Sequence, residues 1–136
     1  MINKLKKHIE DSNFTDEQKI VFFEEVKELI HNNSPLKEQP VNRIKWVDIN
    51  KVSPNDYNPN SVAKKEMGLL YTSILHDGYT QPVVTIYDEV KDKYIIIDGF
   101  HRYFTCKSNK DILDRNKGRL PIVVLKTFLS SPSFVP

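Results

Sequence analysis

Tyr94-Ile95-Ile96-Ile97-Asp98-Gly99-Phe100-His101-Arg102-Tyr103 is the stretch from which the rest of the chain is read. Residues of strand composition run into Asp-Gly, and a helix is expected to begin at once. Glycine at such a corner lets another backbone approach closely, and the first amides of the helix lie where an anion can reach them. Arg102 adds a planar cation suited to phosphate oxygens. His101 can donate a hydrogen bond or move a proton near neutral pH. The plain alternative is a strand-to-helix turn in which Asp98 caps the helix while His101 and Arg102 lie on a solvated face.

Outward from this corner, the 136 residues suit one domain with a small appendage. A charged fraction of 28% and a hydrophobic fraction of 39% are ordinary for a globular protein. The net charge of +2 is too small to argue nucleic-acid binding alone. It is unevenly spread: residues 1–40 carry six Lys/Arg against eight Asp/Glu, and residues 41–136 carry fourteen against ten. The densest basic patch is Lys107, Lys110, Arg115, Lys117 and Arg119, which also reads as a solvated helix and loop face. A single cysteine, Cys106, excludes an internal disulfide and fits a reducing cytosol. No apolar run approaches a membrane span, so a cytoplasmic protein with no membrane partner is expected.

Before the corner, residues 1–33 read as a helical pair. A short helix covers 3–10. A second, capped by the Thr15-Asp16-Glu17-Gln18 box, runs to about His31 with Phe22, Val26, Leu29 and Ile30 as its stripe. That stripe is expected to pack on the main domain or to form a dimer or partner surface. Residues 34–43 read as a linker, and Ile44–Ile49 as a strand. Val52 to Asn60 reads as a loop, and a helix from Ser61 or Val62 to about His76 closes at Asp77-Gly78 with glycine as C-cap. Val83–Tyr87 and Lys93–Ile97 make a hairpin. The helix from Phe100 runs to about Ser108, Asp111–Asn116 form a second short helix, and Leu120–Leu125 a last strand with proline near its start. Residues 128–136 read as a disordered or truncated tail.

In this order the pieces resemble a known pattern. The strand near Ile44–Ile49, Asn58-Pro59-Asn60, the helix closing at Asp77-Gly78, Gln81-Pro82-Val83-Val84, Ile96-Ile97-Asp98-Gly99-Phe100-His101-Arg102 and Leu120-Pro121-Ile122-Val123-Val124 together resemble the ParB N-terminal domain. This is the ParB/sulfiredoxin-like fold, often labelled ParB-like nuclease. The strings at 56–60, 77–82 and 98–102 are similar to those of prophage gene-expression co-activators of the IbrB type. The fold implied is α+β: a small mixed sheet of about four strands with packed helices at 44–127, plus the N-terminal helical pair.

The resemblance implies a nucleotide site. In ParB proteins a Gly-x-x-Gln-Pro box and a Gly-Glu-Arg-Arg corner hold CTP phosphates. By position, Gly78, Gln81 and Pro82 take the first role and Gly99, Phe100, His101 and Arg102 the second, with Asn58 at the rim. The ligand implied is CTP or ATP/ADP with Mg²⁺, and no metal site built from protein ligands alone is expected. Sulfiredoxin carries Gly-Gly-Cys-His-Arg-Tyr at this corner and reduces a cysteine sulfinic acid with ATP. Phe100 replaces that cysteine, so this chemistry is not expected, and Cys106 lies roughly a turn and a half further along the helix. It reads as a small buried residue. Phe100 also replaces the ParB glutamate. ParB clamps use a third motif and a helix-turn-helix beyond the matched region, so a full DNA clamp is not expected here.

Several roles stay open. Arg102 contacts phosphate or pairs with Asp98. His101 contacts phosphate, transfers a proton or makes a structural hydrogen bond. Asp98 is a metal-facing carboxylate or general base, or a helix cap. Gln81 contacts the ligand or ties its loop. Tyr79 is a candidate to stack on a base, and Tyr103 stacks on a base or, in preference, packs in the core. The leading function is a nucleotide-binding regulatory module in prophage- or plasmid-type gene regulation, with DNA, a protein partner or a second copy as associates. The alternative is a small-molecule kinase or a CTP/ATP hydrolase with Asp98 and His101 as catalytic groups. A nuclease ranks below these, because no cluster of metal-binding carboxylates stands out. A nucleotide-free interaction module is the remaining reading.

Overall fold

Local signals set most of the elements in a computed structural model that describes residues 1–11, 13–54 and 64–126. Helices α1 (Ile2–Glu10) and α2 (Asp16–Asn32) form the N-terminal pair. Thr15 caps α2 with the full capping box: its hydroxyl accepts from the Gln18 amide, and the Gln18 side chain accepts from the Thr15 amide. Turns and a 3-10 helix at Pro40–Asn42 lead to strand β1 (Lys45–Asp48). The two-residue strand β2 (Val52–Ser53) follows. Helix α3 (Lys64–Asp77) precedes the hairpin of β3 (Val83–Asp88) and β4 (Lys93–Asp98). Helices α4 (Phe100–Ser108) and α5 (Lys110–Arg115) and strand β5 (Arg119–Val124) complete the order. The sequence positions Asn58, Ser61 and Val62 and the 128–136 tail lie outside the described residues.

The strands make one mixed sheet of five in the order β1-β5-β3-β4-β2. The expectation of about four strands missed β2, which pairs parallel to β4 through Val52 opposite Tyr94 and Ser53 opposite Ile95. Two residues cannot show a period-2 pattern, and Pro54 after them signals a loop. β1 and β5 run antiparallel, with Trp46 opposite Pro121, while β3 and β5 run parallel, with Val83 opposite Ile122. In the β3–β4 hairpin the register shifts between Val84 and Thr85, next to the corner where β4 ends.

A single apolar cluster joins sheet and helices. It includes Val83, Ile96, Leu120 and Ile122 from the sheet, Ile74 from α3, Phe100, Tyr103 and Cys106 from α4, and Ile112 from α5. Cys106 and Ile112 are fully buried, as expected for a cysteine acting as a small apolar residue. The α2 stripe divides: Phe22 and Val26 are half-buried, while Leu29 and Ile30 stay exposed. Phe22 lies among His8, Phe14 and Phe23, with ring centroids 5.9–6.0 Å apart.

Charge supplies the rest of the α2 attachment. The buried Arg43 guanidinium donates to the Glu28 carboxylate at 2.8 Å and to the Glu24 carbonyl at 2.9 Å. The Glu24 carboxylate accepts from the Trp46 amide at 2.9 Å, which joins α2 directly to β1. At the start of α2, Asp16 pairs with Lys117 at 3.6 Å and Glu17 with Arg119. The acidic first third of the chain therefore sits against cations of the remainder.

Candidate functional site

The corner is built where β4 gives way to α4. Asp98 ends the strand, paired across the ladder with Val84, and its side chain is exposed. The helix cap is Gly99, not Asp98: Gly99 has φ +99 and ψ +25, and no side chain caps the helix. This corrects the cap reading of Asp98. A residue still held in the β-ladder has its backbone committed there, so the turn into the helix falls on the next residue, which must tolerate the left-handed region. The Gly99 carbonyl accepts from the amides of Arg102 at 3.0 Å and Tyr103 at 3.2 Å, which starts α4 as a tight turn. A Cβ on Gly99 would stand 3.3 Å from Val83 Cα and 3.5 Å from Arg102 Nη1. The corner thus closes on the first residue of β3 and on the arginine.

The second part of the site comes from the end of α3. The Gly78 amide donates to Ile74 O at 2.8 Å, and Gly78 takes φ +79, the left-handed conformation expected at a helix C-terminus. Arg115 of α5 donates to the carbonyls of Leu75 at 2.7 Å and Ile74 at 2.6 Å, fixing that helix end. The loop then crosses Tyr79, Thr80, Gln81 and Pro82 into β3. Gln81 Oε1 accepts a hydrogen bond from Arg102 Nη2 across a separation of 21 residues. The Tyr79 hydroxyl donates to the Arg102 backbone carbonyl at 2.6 Å.

The structure therefore brings Gly78, Gln81, Pro82, Gly99 and Arg102 into one corner. Arg102 is held by Gln81, and no Arg102–Asp98 ion pair is present among the described residues. His101 is half-buried, with its ring edge-on to Phe100 at 5.7 Å and 76°. Phe100 itself is buried, stacked on Phe104 at 5.8 Å and tilted against Tyr103 at 6.0 Å, so only its backbone can serve a ligand. Tyr103 is core. Tyr79, read from sequence as a base-stacking residue, spends its hydroxyl on α4; no local signal marks such a bond. Burial first, then the neighbouring Cys106, push the Tyr79 phenol well up, and burial likewise raises the Cys106 thiol.

Next to Gln81 and Pro82 lies a groove of about 320 Å³ that also borders Tyr79, Trp46, Pro121 and Lys27 of α2. The basic patch is largely engaged internally: Lys110 with Asp114 at 2.5 Å, Lys117 with Asp16, Arg119 with Glu17 and Trp46 O, and Arg115 with the end of α3. Lys107 stands over the Tyr103 ring at 5.8 Å. Among the described residues no group of three or more His, Cys, Asp or Glu could hold a metal ion, and no helix is long and apolar enough to cross a membrane.

The sequence matches that of the ParB N-terminal domain over residues 33–127, a span that includes all five strands and the whole corner. The chain belongs to the ParB N-terminal domain family. It is also 40% identical over 111 residues to the uncharacterized protein YbdM of Escherichia coli K12, covering 82% of this chain. The chain spans about half the length of that curated relative, 53%. The mixed α+β architecture with its five-stranded sheet is that expected of a ParB/sulfiredoxin-like domain.

Proposed function

We propose that this ParB-type domain is a nucleotide-binding regulatory module whose phosphate site is the corner of Gly99, His101 and Arg102 with the Gly78–Pro82 loop. One observation carries the reading: Gln81 hydrogen-bonds Arg102 at the mouth of the Gly99 corner. That contact sets a planar cation beside the N-terminal, positive end of α4. An arginine pre-set by one acceptor loses less conformational entropy when it meets a phosphate. Gln81 can then turn its amide toward the ligand or keep its hold on Arg102.

The ligand proposed is CTP or ATP/ADP with Mg²⁺. The resemblance of residues 56–60, 77–82 and 98–102 to IbrB-type co-activators supports gene regulation of the prophage or plasmid kind as the setting. DNA, a protein partner or a second copy would be the associate. Titration with each nucleotide and Mg²⁺, on the parent and on Arg102→Ala, tests the site. Binding that Arg102→Ala removes supports the proposal, and absence of binding by the parent refutes it.

A second reading is favoured by a different observation. Asp98 is exposed and does not cap α4, so its carboxylate is available as a general base or toward a nucleotide-bound metal. The domain would then be a phosphotransferase or nucleotide hydrolase. Mg²⁺-dependent product formation that Asp98→Asn abolishes would establish it. Tight binding with no turnover would leave the regulatory reading.

A further inference from the structure

We propose that Tyr79 is a positioning residue of this site, holding the backbone of residue 102 so that its guanidinium stands at a set place against Gln81. The inference rests on the nucleotide reading of the same corner. The loop after Gly78 grips residue 102 twice. The Tyr79 hydroxyl donates to the Arg102 carbonyl at 2.6 Å, and two residues further on Gln81 accepts from the Arg102 side chain. One short loop thereby fixes both ends of a long side chain whose rotamer freedom is otherwise large.

The grip has a rigid base. Arg115 ties the α3 carbonyls of Ile74 and Leu75, and the Gly78 amide closes back on Ile74 O. From there the Tyr79 ring, half-buried at the edge of the core, reaches across to α4. The Arg102 carbonyl lies in the first turn of α4, so a shift of that turn would move Gly99, His101 and Arg102 together. Loss of one hydroxyl at Tyr79 therefore alters the anion site without touching a ligand.

The test is a mutant cycle on the whole chain, read by calorimetric titration with CTP, ATP and ADP, each with Mg²⁺. The proteins are the parent, Tyr79→Phe, Gln81→Ala and the double variant. Tyr79→Phe keeps the ring, and a melting midpoint close to the parent's is expected. Its affinity for the bound nucleotide should fall about three- to tenfold, the worth of one hydrogen bond. The double variant should lose clearly less than the product of the two single losses, because both residues act on the placement of Arg102. Three outcomes overturn the inference while leaving the site itself standing: unchanged affinity in Tyr79→Phe, strictly multiplicative losses, or loss of cooperative melting, which would make the hydroxyl a folding contact. No binding by the parent overturns the nucleotide reading and this inference with it.

Discussion

Gly99 and Gly68 differ in what an added methyl group would meet. Gly68 lies inside α3, and a Cβ there would have nothing within 4 Å. Gly68→Ala should stabilise the protein by about 0.5–1 kcal/mol by removing backbone freedom from the unfolded chain. Gly99 combines φ +99 with a backbone atom, Val83 Cα, at 3.3 Å. Gly99→Ala should cost roughly 1–3 kcal/mol, since the left-handed conformation is strained for alanine and β3 cannot easily move away. Urea denaturation of the two variants reads both signs, and a Gly99→Ala protein as stable as the parent would contradict the described corner. Phe100 makes a related point. By resemblance of sequence it stands where sulfiredoxin has a cysteine, and its ring is buried against Phe104 and Tyr103. Phe100→Ala should cost roughly 3–5 kcal/mol, as a cavity in the core rather than as a lost reagent.

At the scale of elements, α2 is held on the sheet by Arg43. Its side chain is 8% exposed and serves Glu24 and Glu28 together, while Glu24 also binds the Trp46 amide. Arg43→Ala should lower stability by roughly 2–3 kcal/mol, because it leaves the Glu24 carbonyl and two carboxylates short of a partner. The same contact predicts an acid dependence. Burial alone would raise the Glu28 carboxyl, but the hydrogen bond from Arg43 and the charge of Lys45 outweigh it and hold the group below its usual value. A depressed folded-state value means that the stabilisation is present above the unfolded value of about 4.3 and is lost as pH falls through the folded one. Urea midpoints followed downward from neutral pH should therefore fall below about pH 4.3, and this part of the fall should be absent in Arg43→Ala. A parent curve of the same shape as the variant's would show that Glu28 plays no part in the dependence.

For the whole molecule, the elements with strong local signals were legible in the sequence. Periodicity and capping placed α2, α3, α4, the β3–β4 hairpin and β5, and Gly78 marked the end of α3. The features that escaped depend on distant partners. β2 is too short to show a pattern and exists because β4 offers an edge. Arg43 reads as an ordinary residue between a linker and a strand until α2 lies over it. The cap at Gly99 rather than Asp98 follows from how far the β4 ladder with Val84 extends, and the Tyr79 bond from the turn at Gly78. Asn58 lies outside the described residues, so its rim role stays a proposal with the rest of the ligand contacts. The nucleotide site is tested most directly by calorimetric titration of the full chain with CTP, ATP and ADP, each with Mg²⁺, beside Arg102→Ala. The parent should bind one of these nucleotides saturably, and an Arg102→Ala protein that melts like the parent should not. Binding that survives Arg102→Ala unchanged, or no binding to the parent, would contradict the proposed site.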